Sequence, residues 1–290
     1  MTQIKMRSRW VALVIAGGAC ASANAAVITD WNFGTVATVS PDNSPAPTTG
    51  TGTVTSLGMT NGYTYTTKGA TTGVGSVTLD DVTNDSTSGT ANGSTLGNGN
   101  VWRIRGQAGS GTTGAGNGWN ISAPQYSQGA EFDVSTSGFT NIGLSFNWAA
   151  TTQGVGNMQV QYTTNGTTWT NIGSVLSATV DNNTIGTAGS GFQTDTVDFS
   201  LVNGVSNDAS FGVRLVSAFN PTLGNTYASA TSVLSGTPTQ INNNSGNWRI
   251  ADVQVDGTVA PVPLPASAWF MLSGLGGLAT LRRRKQSVEA

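Results

Sequence analysis

The chain of 290 residues has nearly balanced charge, with 12 Lys and Arg against 14 Asp and Glu, but it has no His and a single Cys, Cys20. Catalysis by Ser-His-Asp or Cys-His groups, zinc sites of the usual ligands and a disulfide framework are therefore excluded. Most basic residues lie near the two ends, so residues 26–261 keep five basic against 13 acidic residues. This balance excludes a basic surface for nucleic acid or anionic lipid.

The N-terminal segment has the three parts of a secretory signal peptide. A basic stretch at residues 5–9 precedes an apolar run at residues 10–16, and small residues follow. Ala23 and Ala25 form an Ala-x-Ala site for signal peptidase. We predict that residues 1–25 are a signal peptide that is cleaved after Ala25 or, as the alternative, after Ala23. A buried N-terminal helix is the competing interpretation, but no amphipathic partner segment follows it.

Several segments within residues 26–258 alternate large apolar with polar side chains, as strands do when one face of their sheet meets water. Gly, Thr or Asn interrupts every run that could otherwise have helical spacing. The predicted strands are 26–33, 101–105, 143–148, 157–162, 211–216 and 248–255. The sequence predicts an all-β fold, a single antiparallel β-sandwich in which the first and last strands pair.

One hairpin is predicted from its turn. Asn165-Gly166 stands between two strand patterns, and this pair tolerates the positive φ that a type I′ turn requires at both central residues. With that register, Met158, Val160, Tyr162 and Trp169 are expected on the core face of the two strands.

Residues 99–257 resemble the jelly-roll domains of secreted bacterial proteins. The resemblance is carried by the strand-Asn-Gly-strand element at residues 160–169 and by the closing strand at residues 248–255. Those domains share a fold with carbohydrate-binding modules and concanavalin-like lectins. The resemblance implies a jelly-roll sandwich, and a shared fold does not by itself imply a shared activity.

The C-terminal segment, residues 259–290, also has three parts. The motif Val262, Pro263, Leu264, Pro265 and Ala266 is followed by an apolar stretch at residues 266–281 and by the basic tail Arg282, Arg283, Arg284 and Lys285. As a helix, residues 266–281 would be about 24 Å long, short of a hydrocarbon core of about 30 Å. The basic tail would hold the C-terminus in the cytoplasm, while the signal peptide sends the body across the membrane.

This tail resembles the PEP-CTERM sorting signal in its Val-Pro-Leu-Pro-Ala variant. The resemblance implies processing by an exosortase near residues 263–265, in a Gram-negative bacterium that makes an extracellular polysaccharide matrix. We therefore expect transient anchoring in the inner membrane and then a location at the cell surface or outside the cell. A single-span anchor that stays intact is the alternative.

Carboxylates are the available groups for catalysis or for a hard cation. Glu131 and Asp133 stand two residues apart on a predicted strand, about 7 Å from each other, and could flank a glycosidic bond. Solvated strand residues, or ligands of a structural calcium ion, are the alternatives. No other cofactor is expected. The calcium candidates are Asp80, Asp81, Glu131, Asp133, Asp252 and Asp256.

Sugar binding would need an exposed aromatic ring. Trp102, Trp148 and Trp248 occupy core-facing strand positions and are expected to be buried. Trp119 lies in a Gly-rich loop, and Tyr126 follows it closely. These two rings are the candidates for stacking on a sugar, although a ring packed under its own loop is the competing interpretation.

Three functions remain compatible with the sequence. The first is a non-enzymatic surface or matrix protein, sorted by an exosortase and associated with exopolysaccharide. The second is a carbohydrate-binding module with a defined glycan ligand, and the third is an enzyme that acts through carboxylates alone. An exposed aromatic platform would favour the second, and a cleft with two carboxylates of perturbed pKa would favour the third.

Overall fold

The structure is a computed structural model that describes residues 25–32, 46–58, 82–84, 90–91, 94–95, 100–104, 119, 121–181, 192–241, 246–261, 270, 271 and 273. Within these ranges the chain forms fifteen strands and one short helix, α1 (Ala230–Leu234), between the last two strands. The strands are β1 (Ala25–Trp31), β2 (Thr49–Gly50), β3 (Thr53–Leu57), β4 (Val82–Asn84), β5 (Thr90–Ala91), β6 (Ser94–Thr95), β7 (Asn100–Ile104), β8 (Gly129–Asp133), β9 (Phe139–Thr151), β10 (Asn157–Thr163), β11 (Thr170–Ser177), β12 (Val180–Asp181), β13 (Gln193–Asp198), β14 (Gly212–Ser217) and β15 (Trp248–Val259).

Two sheets form the body. The larger one contains the run β12-β9-β15-β1-β2, with β13 beside β9 and with β7 and β4 continuing from β15. The second, called the five-stranded sheet below, has the order β11-β10-β14-β8-β3. Apart from the short β12, the pairings within these two sheets are antiparallel. β1 pairs with β15, so the predicted pairing of first and last strands is confirmed.

The sheets pack face to face through large side chains. In the first half of β9, Ile142, Leu144 and Phe146 are buried while the residues between them are partly exposed, as the period of a strand requires. Phe132 from the five-stranded sheet contacts Trp31 and Trp102 from the larger one, with ring centroids 5.2 and 6.1 Å apart. Trp148 and Trp248 are also buried and pack against each other. The all-β sandwich and the burial of the three core tryptophans are confirmed.

The hairpin is present, but its turn differs from the prediction. β10 and β11 pair up to Tyr162 and Thr170, which leaves a loop of several residues between them. Of the two residues Asn165 and Gly166, only Gly166 has positive φ, 71°. The Asn165 side chain accepts hydrogen bonds from the backbone N–H groups of the two residues after Gly166. The type I′ prediction was wrong because this side chain, rather than a two-residue backbone turn, organises the loop.

Several predicted features lie outside the described residues. They are the signal peptide up to Asn24, Asp80 and Asp81, the sorting motif at 262–266 and the basic tail at 282–285. Of the predicted anchor helix at 266–281, Phe270, Met271 and Ser273 are described and are helical. In the part of the chain that the structure describes, no helix has the length and apolar character needed to cross a membrane.

Candidate functional site

The outer face of the five-stranded sheet, the face turned away from the core, carries a row of polar residues. The strand pairings place one residue from each strand in register. From one sheet edge to the other, this polar row is Asn171 (β11), Gln161 (β10), Arg214 (β14), Glu131 (β8) and Thr55 (β3). Strands lie about 4.8 Å apart, so the row extends for about 19 Å across the sheet.

Strand alternation explains why these side chains share a face. Val160, Val213 and Phe132 each stand next to a member of the polar row, and all three are buried in the core between the sheets. Because successive side chains of a strand point to opposite faces, the row must point outward. Four members are at least partly exposed, whereas Gln161 is only 6% exposed.

Arg214 stands at the centre of the row and has two fixed contacts. Its Nε donates to Glu131 Oε2 at 2.5 Å, and the two side chains are 25% and 18% exposed. Its Cζ lies 3.9 Å from the centroid of the Trp169 ring. The ring and the carboxylate together hold the guanidinium in one orientation over the sheet.

Trp169 therefore lies on the outer face, and its predicted place on the core face was wrong. It precedes β11 in the loop that Asn165 organises, so strand alternation does not determine its direction. Gly212 provides the room for this ring, because a Cβ at Gly212 would come within 3.1 Å of the ring's Cη2. The ring is half-buried and covers the Gly212 end of β14.

Tyr126 borders the row on its other side. Its backbone N–H donates to Ser217 O at the far end of β14, 2.8 Å away. Its hydroxyl accepts a hydrogen bond of 3.2 Å from Asn171 Nδ2, on β11. β14 and β11 are two strand spacings apart, about 10 Å, so the tyrosine side chain must cross β10 on the outer face. The polar row thus lies between two half-buried aromatic rings.

The amides of the row are linked to one another. Gln161 Nε2 donates to Asn171 Oδ1 at 2.8 Å, and Asn171 donates onward to Tyr126. Gln161 Oε1 is buried and has no hydrogen-bond partner within the described ranges. Gln159, one step along β10 on the same face, donates to two backbone carbonyls and is 3% exposed. The row therefore has fixed polar groups, and one of them, Gln161 Oε1, is a covered acceptor without a hydrogen-bond partner among the described residues.

Trp119, the first candidate for stacking, is not available to a ligand. Its side chain is 0% exposed, and its ring centroid lies 4.5 Å from that of Trp248. The loop position predicted exposure, but the ring fills the core instead, because so large an apolar surface is most stable when it is buried. Tyr126, the second candidate, does lie on the outer face.

The carboxylate candidates divide between the two sheets. Glu131 and Asp133 share the outer face of the five-stranded sheet, where Asp133 accepts from Thr53 Oγ1 at 3.3 Å. Asp252 and Asp256 belong to β15 in the larger sheet, and Asp252 accepts from Asn147 Nδ2 at 2.9 Å. Among the described residues, no three or more acidic, His or Cys side chains come together in a group that could hold a metal ion. The described residues therefore provide no set of ligands for the predicted calcium ion.

Sequence reasoning missed Arg214, Gln161, Asn171 and Trp169 as site residues. One signal was present, since β10 reads Asn157-Met-Gln-Val-Gln161, with amides at every second position. An amide-lined outer face could have been inferred from that pattern. The alignment of the amides with Arg214 could not, because it depends on pairing between distant strands.

No protein-family model matches the sequence, and no curated protein matches it. Among solved structures, the N-terminal cellulose-binding domain from Cellulomonas fimi β-1,4-glucanase C is 13% identical, with a match that covers 55% of this chain and 90% of that domain at a TM-score of 0.27. The Stig cyclase Fisc from Fischerella sp. TAU, solved with (3Z)-3-(1-methyl-2-pyrrolidinylidene)-3H-indole, is 12% identical, and its match covers 80% of this chain and 85% of its own at a TM-score of 0.28. Neither likeness assigns a family or a ligand to this chain.

Proposed function

We propose that this protein binds a polysaccharide chain along the polar row, between the Tyr126 and Trp169 rings, and that it does so without catalysis. The observation that carries the proposal is the row itself, which aligns polar side chains straight across five strands between two aromatic rings. An extended chain of sugars has the matching shape and chemistry.

The chemistry of the row suits hydroxyl groups. Amides offer donors and acceptors on one small group, and a guanidinium offers several donors in a plane. Aromatic rings supply rigid apolar surface with few rotatable bonds, which lowers the entropy lost on binding. Gln161 and Arg214 are held by neighbours before any ligand arrives, so little ordering would be needed.

The non-enzymatic part of the proposal rests on how Glu131 is used. A glycosidase needs one carboxyl group as acid and a second as base or nucleophile. Glu131 is held in an ion pair with Arg214, so it is not free to act as a general acid or nucleophile, and Asp133 is the other carboxylate that the strands of this sheet place on that face. Retaining and inverting hydrolysis are therefore both disfavoured here.

The two ends of the chain supply the proposed location. The signal peptide would export the body, and the PEP-CTERM-like tail would hold it in the inner membrane until an exosortase acts near residues 263–265. The protein would then associate with exopolysaccharide at the cell surface. Polysaccharide binding by the sandwich is consistent with this sorting route, because the matrix would retain the released protein.

The test is affinity electrophoresis of the purified full-length protein in gels that contain single polysaccharides, followed by calorimetry on any that retard it. Trp169→Ala and Tyr126→Ala should each weaken binding roughly tenfold or more, since buried aromatic anchors dominate such interfaces. Leu201→Ala is the control, because Leu201 is 94% exposed and follows β13, a strand of the larger sheet.

Two results would contradict the proposal. One is the absence of retardation by any polysaccharide, and the other is retardation that both ring variants leave unchanged. Release of new reducing ends from a bound polysaccharide would instead support the enzyme hypothesis, and Glu131→Gln should then abolish that release.

A further inference from the structure

We infer that Glu131 restricts the polar row to uncharged glycan chains by neutralising Arg214, which makes Glu131 a specificity-determining residue. The inference rests on the proposed function, because it concerns which polysaccharide the same face accepts. It follows from the charges of the sheet and from the geometry of one ion pair.

The five-stranded sheet carries few charges. Across its five strands the single basic residue is Arg214, and the acidic residues are Glu131 and Asp133. Both carboxylates lie on the outer face with Arg214, since Arg214 pairs with Glu131 and Gly212 pairs with Asp133. The strands therefore present a net charge of −1 to a ligand, although they carry an arginine at the centre of the row.

The contacts of Arg214 decide what it can recognise. Glu131 takes the Nε–H, so one edge of the guanidinium fork is already occupied by a carboxylate. Trp169 covers one flat face of the group. Its Nη groups make no hydrogen bond within the described residues and remain as donors. They can donate hydrogen bonds to a hydroxyl or ring oxygen of a sugar, and such bonds do not require a net positive charge on the face.

An acidic sugar would meet a different balance. Its carboxylate would be attracted by Arg214 but repelled by Glu131 at nearly the same distance, and Asp133 would add to the repulsion. It would also lose hydration on binding between the two rings. A neutral chain has no such cost, so the row should prefer neutral over anionic chains.

Glu131→Gln is the informative change. The glutamine amide oxygen can still accept from Arg214 Nε, so the geometry is kept while one negative charge is removed. Arg214 then has no carboxylate partner, and the strands as a whole carry no net charge. Asp133→Asn is the matched control, because it removes the same charge from the same face without touching the contact to Arg214.

The experiment uses hydroxyethylcellulose, dextran, galactomannan and xyloglucan, each beside its carboxymethyl derivative, with the full-length protein and both variants in affinity electrophoresis. The wild type should bind at least one neutral polymer roughly tenfold more tightly than its carboxymethyl form, a factor that corresponds to about 1.4 kcal/mol of repulsion and lost hydration. Glu131→Gln should remove or invert that preference, and added salt should weaken any preference of this variant for the carboxymethyl form. Asp133→Asn should keep most of it. Thermal melts show whether each variant is folded.

Three results would overturn the inference. If the wild type bound a neutral polymer and its carboxymethyl form equally well, the inference would be wrong, although the proposed function would still hold. An unchanged preference in folded Glu131→Gln would do the same, and so would a loss of preference in Asp133→Asn as large as in Glu131→Gln. If no polymer of either kind bound, the proposed function would fail and this inference with it.

Discussion

Phe132 is the side chain on which the packing of the two sheets depends most visibly. It belongs to β8 and is 0% exposed, and it meets Trp31 and Trp102 edge-to-face from the opposite sheet. On the other side of the same strand, the next residue toward the N-terminus is Glu131 of the polar row. Removal of the ring would therefore test both the sandwich and the support of the proposed site.

Phe132→Ala should cost about 3–5 kcal/mol of unfolding free energy, because the ring leaves a cavity that rigid tryptophans cannot fill. The upper end applies here, since each edge-to-face pair is worth about 0.5–1.5 kcal/mol beyond buried area. For a domain of this size, the melting temperature should fall by about 6–20 °C.

The measurement is a thermal melt followed by circular dichroism, with urea unfolding to obtain the free energy. Phe132→Leu, which keeps most of the volume, should lie between the wild type and Phe132→Ala. Leu201→Ala, at a 94% exposed position, should stay within about 0.5 kcal/mol of the wild type. A fall of less than about 3 °C for Phe132→Ala would show that this ring does not join the sheets as argued.

Three further predictions concern other parts of the chain. Burial, with a contribution from Asp252, raises the pKa of Asp30 above its ordinary 3.8. Between 3.8 and the raised pKa the folded protein binds more protons at Asp30 than the unfolded chain does, so the free energy of unfolding falls as pH rises through this range. Asp30→Asn should remove this fall in urea titrations at several pH values. Gly166→Val should cost about 1–3 kcal/mol in a melt through backbone strain, because φ is 71°, whereas Gly166→Asn should be tolerated. Mass spectrometry of the released protein should find no peptide from residues 267–290. Replacement of residues 282–285 by neutral residues should remove the stop-transfer signal, so that unprocessed precursor leaves the inner membrane.

The strands and their closure could be predicted from sequence because they depend on local alternation. β10, β14 and β15 each alternate large and polar residues, and the observed bounds differ from the predicted ones by a few residues. The pairing of β1 with β15 followed from the general tendency of sandwiches to close. The strand bounds need no knowledge of distant contacts.

The site could be predicted only in part, because its members meet through pairing between strands far apart in the chain. Tyr126 was singled out as an aromatic near a loop, but its partner Asn171 lies 45 residues away. A two-residue turn predicts Trp169 on the core face, but the longer loop frees this residue from strand alternation. The loop position of Trp119 predicts an exposed ring, but the ring packs against Trp248 in the core.

One buried amide of β10 is unfavourable for stability, and the proposed function would give it a role. An outward position that is shielded from water would be more stable with an apolar side chain, because a buried acceptor without a partner costs about 1–3 kcal/mol. Gln161 nevertheless stands there, with its Oε1 unused among the described residues and its amide held by Asn171. Natural sequences keep such locally unfavourable choices mainly where a ligand needs them. Because this oxygen is covered in the free protein, a glycan hydroxyl could donate to it only after neighbouring side chains move, and the cost of the unpaired acceptor would then be recovered on binding.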